Sequence, residues 1–478
     1  MKVIPLKSDL IVLGAGPAGI SAALAAAETG ALVTLIDENH DGGGQVYRPS
    51  PSTFRKSADS SPELVVGDEF RRALEGSAVQ RHFKHVVWNV APGFRVDATG
   101  PQGTTAWCAP ALVVATGTSE RVIPFPGWTT PGVIGLGAAT ILLKSQRMLP
   151  GRSTVVAGCG PLLAAVAVGI LKAGGEVRAI IDLAGATEWL RRMPALTSNP
   201  KLLGRGAQWI MAIRRSGIPI YFRHGIRRIE QNADGLNVTY GPVDKHGVPR
   251  SGLTHQIEAE CVAVGHGLIP STEVTRILRA QHHYDRLAGG WIAVTSQDCE
   301  TSIFGLFVTG DAAGIAGADA AARHGRLAGL AAAHRIGHLD TQSFEKQASR
   351  LRSLHRKAKY FGAAMGSLMA LRPGQVAAIE ANTIVCRCED VTRQEIDTAL
   401  DEGATNVNQI KAWTRCGMGP CQGRSCGDVV GELVGLRLHN RELAGYFTGR
   451  PPLRPVRLND LTGQYDYSAI PIPKAAPL

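Results

Sequence analysis

Residues 10–19 read LIVLGAGPAG, an apolar run followed by closely spaced glycines. The run predicts a buried strand, and the glycines predict a tight turn into a helix. The second glycine lets the backbone approach a pyrophosphate, and the third lets helix and strand pack closely. Unpaired N–H groups at the start of the helix would then bind phosphates. The predicted loop residues are Gly14, Gly16, Pro17, Ala18 and Gly19.

The next strand indicates that the ligand is a dinucleotide. The run ALVTLIDE ends at Asp37, about twenty residues after the glycine loop. An acidic side chain at this place accepts hydrogen bonds from the adenosine ribose. Glu38 takes this role if the register is shifted by one residue. The sequence therefore predicts an α/β chain that opens with a dinucleotide-binding domain.

The C-terminal region is rich in cysteine. Cys386 and Cys388 are separated by one residue, and Cys416, Cys421 and Cys426 follow inside TRCGMGPCQGRSCG. Thiolates at such spacings hold iron–sulfur clusters, and tetrahedral thiolates also suit zinc. The dinucleotide fingerprint in the same chain favours iron and sulfur over zinc. A C-terminal domain of about sixty residues would also gain a crosslink that its small core needs.

Length and charge limit the remaining classes of function. The chain has 478 residues, which indicates two or three domains, and a net charge of +11. Its basic residues stand in scattered pairs such as Arg191-Arg192, without interleaved aromatic residues, so we expect no nucleic-acid partner. The most apolar segment, residues 162–171, is too short to span a membrane. We expect a cytoplasmic protein without a membrane span, and leave open a peripheral membrane association through a complex.

A second nucleotide fold is predicted from residue 153 onward. The run STVVAGCGPLL carries Gly158 and Gly160 in a similar loop, and Asp182 ends the next strand. Leu163 replaces the third glycine, which would push helix and strand apart and narrow the pyrophosphate site. Nucleotide binding to this second fold is therefore left open. Asp182 would disfavour a 2′-phosphate, so NADH is favoured over NADPH.

Three further segments resemble the flavoprotein family with two dinucleotide-binding domains, which contains thioredoxin reductase and ferredoxin reductases. They are residues 43–45, reading GGQ; residues 111–128, reading ALVVATGTSERVIPFPGW; and residues 305–314, reading GLFVTGDAAG. The resemblance implies an FAD site shared by these segments and the first loop. Besides the first loop, Asp37 and Glu38, the residues that it assigns to FAD are Gly44, Gln45, Ala115, Thr116, Gly117, Gly310 and Asp311.

The other cysteines and one histidine are expected to be structural. Residues 1–385 contain no CxxC, so disulfide reduction of the thioredoxin reductase type is disfavoured. The isolated cysteines are expected to be buried, and His266 is expected to satisfy backbone groups rather than to act as a base. These cysteines are Cys108, Cys159, Cys261 and Cys299.

The cysteine-rich region is similar to the BFD-like [2Fe-2S] domain, whose recurrent elements are CxC and CQGxxC. That similarity implies four ligands and places Cys416 beside the cluster as a fifth cysteine. The implied ligands are Cys386, Cys388, Cys421 and Cys426.

In the order of all these segments, the chain resembles the larger FAD and [2Fe-2S] subunit of bacterial heteromeric amino-acid dehydrogenases of the opine, hydrogen cyanide synthase and hydroxyproline types. The resemblance implies a partner subunit of D-amino-acid-oxidase type with its own FAD, together with an FMN at an interface of the complex and a small ferredoxin-like subunit. It implies a carrier or a quinone as electron acceptor. It assigns no catalytic acid or base to this chain.

Two other functions stay open on the sequence alone, a stand-alone NAD(P)H-dependent ferredoxin-type reductase and a redox-sensing scaffold. The Pro-rich tail is expected to be an extended arm that either docks on a partner or covers its own chain. The expected domains are residues 1–120 and 271–340 for FAD, 121–270 for the inserted NAD(P)-like fold, 341–380 for a helical connector, 381–445 for the BFD-like domain and 446–478 for the arm.

Overall fold

The first apolar run forms a strand because all of LIVL is buried, and the chain turns at Gly14, whose φ is +98°. The computed structural model describes residues 4–49, 62–233 and 235–461. The elements of its first part are β1 (Leu6–Lys7), β2 (Leu10–Leu13), α1 (Pro17–Ala27), β3 (Val33–Ile36), α2 (Pro62–Glu75), β4 (Gln80–His82), β5 (Val86–Ala91), β6 (Arg95–Gly100), β7 (Gly103–Cys108), β8 (Ala111–Val114) and β9 (Thr118–Glu120).

A second nucleotide-binding fold follows, with a π-helical turn at Leu142–Gln146. Its elements are β10 (Val133–Gly135), α3 (Leu136–Ile141), β11 (Ser153–Gly158), α4 (Leu162–Lys172), β12 (Glu176–Asp182), α5 (Ala186–Leu196), α6 (Pro200–Arg215), β13 (Ile220–Phe222), β14 (His224–Asn232), β15 (Gly235–Pro242), β16 (His255–Ala259), β17 (Cys261–Gly265) and β18 (Leu268–Pro270).

The chain then returns to the first fold and continues into a C-terminal helical region. The elements are α7 (Glu273–Ile277), β19 (His282–Asp285), β20 (Gly290–Ala293), β21 (Leu306–Val308), α8 (Ala318–Arg335), α9 (Thr341–Leu368), α10 (Pro373–Ala377), β22 (Ile384–Cys386), β23 (Val391–Thr392), α11 (Arg393–Asp401), α12 (Val407–Thr414), α13 (Gly427–Leu438) and α14 (Leu458–Leu461).

The first sheet is parallel, with strand order β21-β8-β2-β3-β4. The strand order reverses at β2, so the loops after β2 and β8 separate and leave a crevice at the carboxyl edge. Helix α8 packs closely on α1, because Gly325 and Gly329 let it touch the backbone of Ala18 and Ala22. This crevice is the place where a dinucleotide is expected.

The second sheet repeats the arrangement with the parallel order β10-β17-β11-β12-β13. Leu163, the second residue of α4, is buried in the core of this fold. An antiparallel sheet, β14-β15-β16, is attached to this fold. The predicted α/β fold class with a second nucleotide fold inserted into the first is confirmed.

An antiparallel ribbon of β9 and β18 joins the two folds, and the expected boundaries at residues 120 and 270 fall at the ends of its strands. His266 lies beside it, 6% exposed, and its Nδ1 accepts a hydrogen bond from the Ile123 N–H at 3.0 Å. Burial lowers the pKa of His266 to about 3, so the ring is neutral and satisfies backbone as expected.

The isolated cysteines are buried with one exception. Cys159, Cys261 and Cys299 are buried, but Cys108 is partly exposed. The expectation of burial was therefore wrong for Cys108. The physical reason is its place at the end of β7, paired with Lys7 of the exposed two-residue strand β1.

Helix α9 carries the chain from the first fold to the C-terminal domain. Its N-terminus is capped by Asp340, whose side chain accepts a hydrogen bond from the Ser343 N–H. Charged residues cover much of its first half, and its buried residues concentrate in the second half, from Gly362 to Leu368. Among the residues the structure describes, no helix is both long and apolar enough to cross a membrane.

The C-terminal domain has a small core of its own, built on α11, α12 and α13. Thr392 and Glu395 form the predicted capping box at the start of α11. The arm that follows lies on its own chain where it is described. The Leu453 N–H donates to the Trp88 carbonyl in the sheet β1-β7-β6-β5, and the Arg424 Nη2 donates to the Leu453 carbonyl. Residues 462–478, the rest of the expected arm, lie outside the described part.

Candidate functional site

The crevice of the first sheet brings together all four segments that the sequence singled out. Gly14 lies against Ala115, since a Cβ added to Gly14 would be 2.5 Å from the Ala115 carbonyl oxygen. Gly44 packs on Gly16, with its added Cβ 2.9 Å from the Gly16 Cα. Gly310 packs on Ala18 in the same way. These contacts leave no room for a side chain at Gly14, Gly44 or Gly310, so the four segments together form one cradle.

The cradle suits the phosphates of a dinucleotide. Among the described residues, no side chain caps the N-terminus of α1, and its first residue is Pro17. A Cβ added at Gly16 would meet Gly44 Cα at 3.9 Å as its nearest described neighbour, so the approach to the loop is open. Free N–H groups behind an uncapped, open loop are the donors that a pyrophosphate needs.

Asp37 lies beneath the loop rather than beside it. Its Oδ2 accepts a hydrogen bond from the Ala15 N–H at 2.5 Å, and its Oδ1 accepts from the Asn39 N–H at 2.7 Å. The residue is 9% exposed. Glu38 is exposed, with Arg454 3.7 Å from its carboxylate. Both residues stay candidates for the ribose, and Asp37 also holds the glycine loop in shape.

The GD motif, formed by Gly310 and Asp311 after β21, orders the far side of the crevice. The Oδ1 of the partly buried Asp311 accepts hydrogen bonds from the N–H groups of Ala316 and Gly317, at 2.9 and 3.0 Å, and desolvation raises the pKa of Asp311. Thr116 and Gly117 are engaged with Ser271, which accepts from the Thr116 hydroxyl and donates to the Gly117 carbonyl. Gln45 is exposed. The motif therefore shapes the start of α8.

Sequence reasoning missed a histidine at this motif. The Gly310 N–H donates to His324 Nδ1 at 3.3 Å, and the ring stacks on His355 with centroids 4.3 Å apart. Burial and His355 lower the pKa of His324 to about 3, so its neutral ring can accept this hydrogen bond. Because His355 comes from α9, no local pattern in the sequence could have indicated the pair.

The corresponding crevice of the second sheet is filled by the chain itself. Met369, just after α9, packs on Gly160, where an added Cβ would lie 2.5 Å from the Met369 Cγ. Its carbonyl lies against Gly267 on the opposite side of the crevice. Cys159 and Leu183 belong to the hydrophobic cluster on which Met369 packs. A pyrophosphate at this loop would have to displace Met369.

Other groups around the second crevice are also engaged. The Asp182 Oδ1 accepts from the Ala184 N–H at 2.9 Å, and its Oδ2 accepts from the Trp189 indole at 3.0 Å. Burial raises the pKa of Asp182 to about 6. The Glu120 carboxylate receives the Gly137 N–H at the start of α3 and lies against Gly265. Both carboxylates thus already accept hydrogen bonds from this chain, and neither is left free to accept one from a ribose.

The end of α9 also occupies the cleft between the two crevices. Gly362 lets the helix press on Ala316 of the first crevice, and Gly366 lets it approach the Leu287 carbonyl at 2.9 Å from an added Cβ. On its other side, the helix packs on Ala184 and Leu196 of the second fold. In this fold, a nicotinamide held by the second crevice would have to cross this space to reach the first.

The five C-terminal cysteines lie together. The sulfurs of Cys386, Cys416 and Cys426 are within 4.8 Å of one another and all three residues are buried. The side chains of Cys388 and Cys421 are hydrogen-bonded to each other. Two irons need four thiolates, and the structure gathers one more than that number. The assignment of Cys386, Cys388, Cys421 and Cys426 as ligands stays a prediction. The sulfur of Cys416 lies as close to those of Cys386 and Cys426 as a ligand would.

One aromatic ring covers the loop that carries these cysteines. The ring of Phe447, from the start of the arm, packs against three glycines of this loop. A Cβ added at Gly417, Gly423 or Gly427 would lie 3.2 Å or less from the ring. Gly419 packs on Cys388 in the same manner. The glycines are therefore needed for close packing, and Gly417 and Gly423 also have positive φ angles of 86° and 80°. Phe447 was not predicted, since its role depends on the fold of the arm.

The fold and the two sites define an oxidoreductase that pairs a flavin-type dinucleotide site with an iron–sulfur domain. The family model described as pyridine nucleotide-disulphide oxidoreductase matches residues 8–325, and the model described as BFD-like [2Fe-2S] binding domain matches residues 384–435. The cofactors are FAD and a [2Fe-2S] cluster.

The chain belongs to the family of FAD and [2Fe-2S] oxidoreductase subunits represented by the corresponding subunit of opine oxidase. It is 36% identical to this opine oxidase subunit of Rhizobium meliloti, over 95% of this chain and 98% of that protein. It is 31% identical to hydrogen cyanide synthase subunit HcnB of Pseudomonas aeruginosa, over 93% and 96%.

Solved structures confirm the fold. The L-proline dehydrogenase of P. horikoshii superposes with a TM-score of 0.68 at 19% identity, covering 97% of this chain and 81% of that chain. The thioredoxin reductase of Lactococcus lactis superposes with a TM-score of 0.51 at 17% identity, covering 70% of this chain and all of that one. The smaller share of this chain covered by the second match agrees with a flavoprotein core to which a cluster domain has been added.

Proposed function

We propose that this chain is the electron-transferring subunit of a heteromeric amino-acid or imino-acid dehydrogenase of opine or hydroxyproline type. A partner subunit of D-amino-acid-oxidase type would oxidise the carbon–nitrogen bond on its own FAD. The chain described here would receive the electrons and deliver them to a carrier or to a quinone. FAD takes up two electrons at once and a [2Fe-2S] cluster takes one, so together they divide hydride equivalents into single electrons.

One observation carries this proposal. The identity to the opine oxidase subunit covers 98% of that protein, so both the flavin fold and the cluster domain are shared with a protein named as part of a complex. A small ferredoxin-like subunit, an interfacial FMN and a cytoplasmic location, with peripheral membrane association through the complex, belong to the same proposal. We assign no catalytic acid or base to this chain, since substrate oxidation would occur on the partner.

The residues of this chain have three tasks in such a complex. The loop around Gly14 and the Asp311 motif bind and orient the dinucleotide, and α9 excludes water from the cleft beside it. The glycine-rich loop and Phe447 shield the thiolates. The arm ties the cluster loop to the first fold through Leu453. All three tasks position and protect redox groups.

The main alternative is a stand-alone NAD(P)H-dependent ferredoxin-type reductase. It requires a nicotinamide nucleotide in the second crevice and a route from there to the flavin. Met369 stands in that crevice and the end of α9 stands in the route. These contacts favour the subunit function over the reductase function.

Anaerobic addition of NADH to the purified chain separates the two functions. We expect the flavin absorbance to persist through many seconds of mixing, because the chain's own residues occupy the nicotinamide path. Dithionite serves as the positive control and should bleach flavin and cluster bands alike. Co-expression with the D-amino-acid-oxidase-like partner should make an opine or hydroxyproline bleach the flavin. Rapid bleaching by NADH alone would show that the reductase function is correct.

A further inference from the structure

Arg121 joins four parts of the chain with one buried guanidinium. It follows the ribbon strand β9 and is 1% exposed. Its Nε donates to Asp428 Oδ2 at 2.7 Å, its Nη2 donates to the Gly289 carbonyl at 2.6 Å, and its Nη1 donates to the Met369 carbonyl at 3.3 Å. The crossover ribbon, the returning first fold, the connector and the cluster domain therefore meet at this side chain.

Asp428 connects Arg121 to the cysteine loop. It is the second residue of α13, and Cys426 is the N-cap of the same helix. Its other oxygen, Oδ1, lies 3.4 Å from the Arg441 Nη2, so two guanidinium groups hold one carboxylate. A movement of α13 relative to the ribbon would break the short bond to Arg121. The start of α13 is thereby fixed in place.

On its other side Arg121 reaches the loop that shapes the first crevice. Gly289, whose carbonyl it binds, packs directly against Ile315. The Ile315 N–H donates to the Ala288 carbonyl at 3.1 Å. The next residue, Ala316, donates to Asp311 of the GD motif. A continuous chain of short contacts therefore runs from the N-cap Cys426 to residues 310–317, which we call the flavin loop, with Arg121 in the middle.

The chemistry of the pair indicates a geometric role. A buried ion pair is a weak source of stability, since apolar residues of similar volume often replace it without loss. A guanidinium is planar and can make several hydrogen bonds in fixed directions, which lysine cannot. The guanidinium of Arg121 can therefore hold three acceptors from three separate segments at defined distances.

We propose that Arg121 is a positioning residue that sets the separation between the cluster helix α13 and the flavin loop, so that electron exchange between the two sites depends on it. The inference rests on the electron-transfer role proposed above. It concerns this chain alone and needs neither the partner subunit nor its substrate.

The test uses the purified full chain loaded with FAD and iron. A flash of light with deazaflavin reduces the flavin, and the cluster absorbance reports the arrival of electrons. We expect Arg121→Lys to keep iron and FAD contents but to slow the transfer by about tenfold or more, as ångström-scale misplacement does at other sites. The double variant Arg121→Met with Asp428→Leu leaves Arg441 beside Glu432, 3.6 Å away, so it should stay folded and be equally slow.

A second readout does not depend on activity. Hydrogen exchange of the chain stripped of flavin should become faster in residues 427–438 and near residue 289 in both variants. The matched control is Arg437→Met with Asp401→Leu, because Arg437 is on the same helix but its ion pair is 60% and 66% exposed. The control should change neither transfer rate nor exchange.

Transfer at the wild-type rate in both Arg121 variants overturns the proposal. So does slow transfer in the Arg437 control, because the effect would then not be specific to the buried pair. Should the wild-type chain pass no electrons to the cluster, the electron-transfer role itself is wrong. The exchange measurement then still decides whether Arg121 fixes α13, and unchanged exchange rejects it.

Discussion

Replacing Cys386 by serine will remove the iron from this chain. Its sulfur lies within 4.8 Å of those of Cys416 and Cys426, and the thiols of both donate to it, which lowers the pKa of Cys386 to about 2. A serine hydroxyl is a hard, protonated group that cannot replace a thiolate on iron. The C-terminal domain should also lose its crosslink, and a domain of this size has only about 5 kcal/mol of folding free energy in all.

Iron and sulfide analysis of anaerobically purified protein, with the domain's melting temperature, measures this effect. Cys416→Ser should keep two irons per chain if Cys416 lies beside the cluster, and Cys261→Ser is a control for a buried cysteine far from the site. Loss of iron in Cys416→Ser together with full iron in Cys388→Ser would contradict the assigned ligands. Cys416 would then take the place of Cys388 among the four cluster ligands.

Replacing Gly19 by alanine will strongly weaken FAD binding. A Cβ at Gly19 would overlap the Gly14 carbonyl and approach the Ala115 Cβ to 3.3 Å, so α1 would have to move away from β2. Overpacking of this kind costs about 1–3 kcal/mol. If this cost falls on the loop that binds the pyrophosphate, FAD affinity should fall by about tenfold to a hundredfold. The variant should purify with little yellow cofactor and with its iron intact.

Titration of the stripped protein with FAD measures the dissociation constant. Gly204→Ala is the matched control, because Gly204 is an exposed position of helix α6 with open space around it in the described structure. Alanine there should stabilise the helix by about 0.5–1 kcal/mol and leave FAD affinity unchanged. An unaltered FAD affinity in Gly19→Ala would show that the first crevice is not the flavin site.

Features carried by short stretches of sequence were predicted correctly. The strand, turn and helix around Gly14, the capping box at Thr392 and Glu395, and the second nucleotide fold all form as expected. Each depends on a periodic pattern of apolar residues or on a hydrogen bond between residues close in the chain. The five cysteines also indicated a metal site, because thiolates at such spacings hold iron–sulfur clusters or zinc.

Features that depend on distant packing were not predicted. Leu163 was expected to narrow the second nucleotide site and is buried within α4, but the side chain that fills the crevice is that of Met369, which follows a helix far along the chain. The ribose role of Asp37 stays a prediction, and the hydrogen bond by which Asp37 supports the glycine loop was not predicted. The ion pair of Arg121 and Asp428 joins residues 307 positions apart. Nothing in the local pattern distinguishes these side chains from others of their type.

The sequence by itself determined the classes of structure: two nucleotide folds, a cysteine-bound metal centre and a helical link between them. These follow from the periodicity of apolar residues and from the few residue types that tight turns and thiolate ligands allow. The tertiary structure alone decided which crevice stays open, which is closed by α9 and Met369, and how α13 is held against the flavin loop. Those outcomes depend on side chains that meet only after the chain has folded, because packing acts through space and not along the sequence.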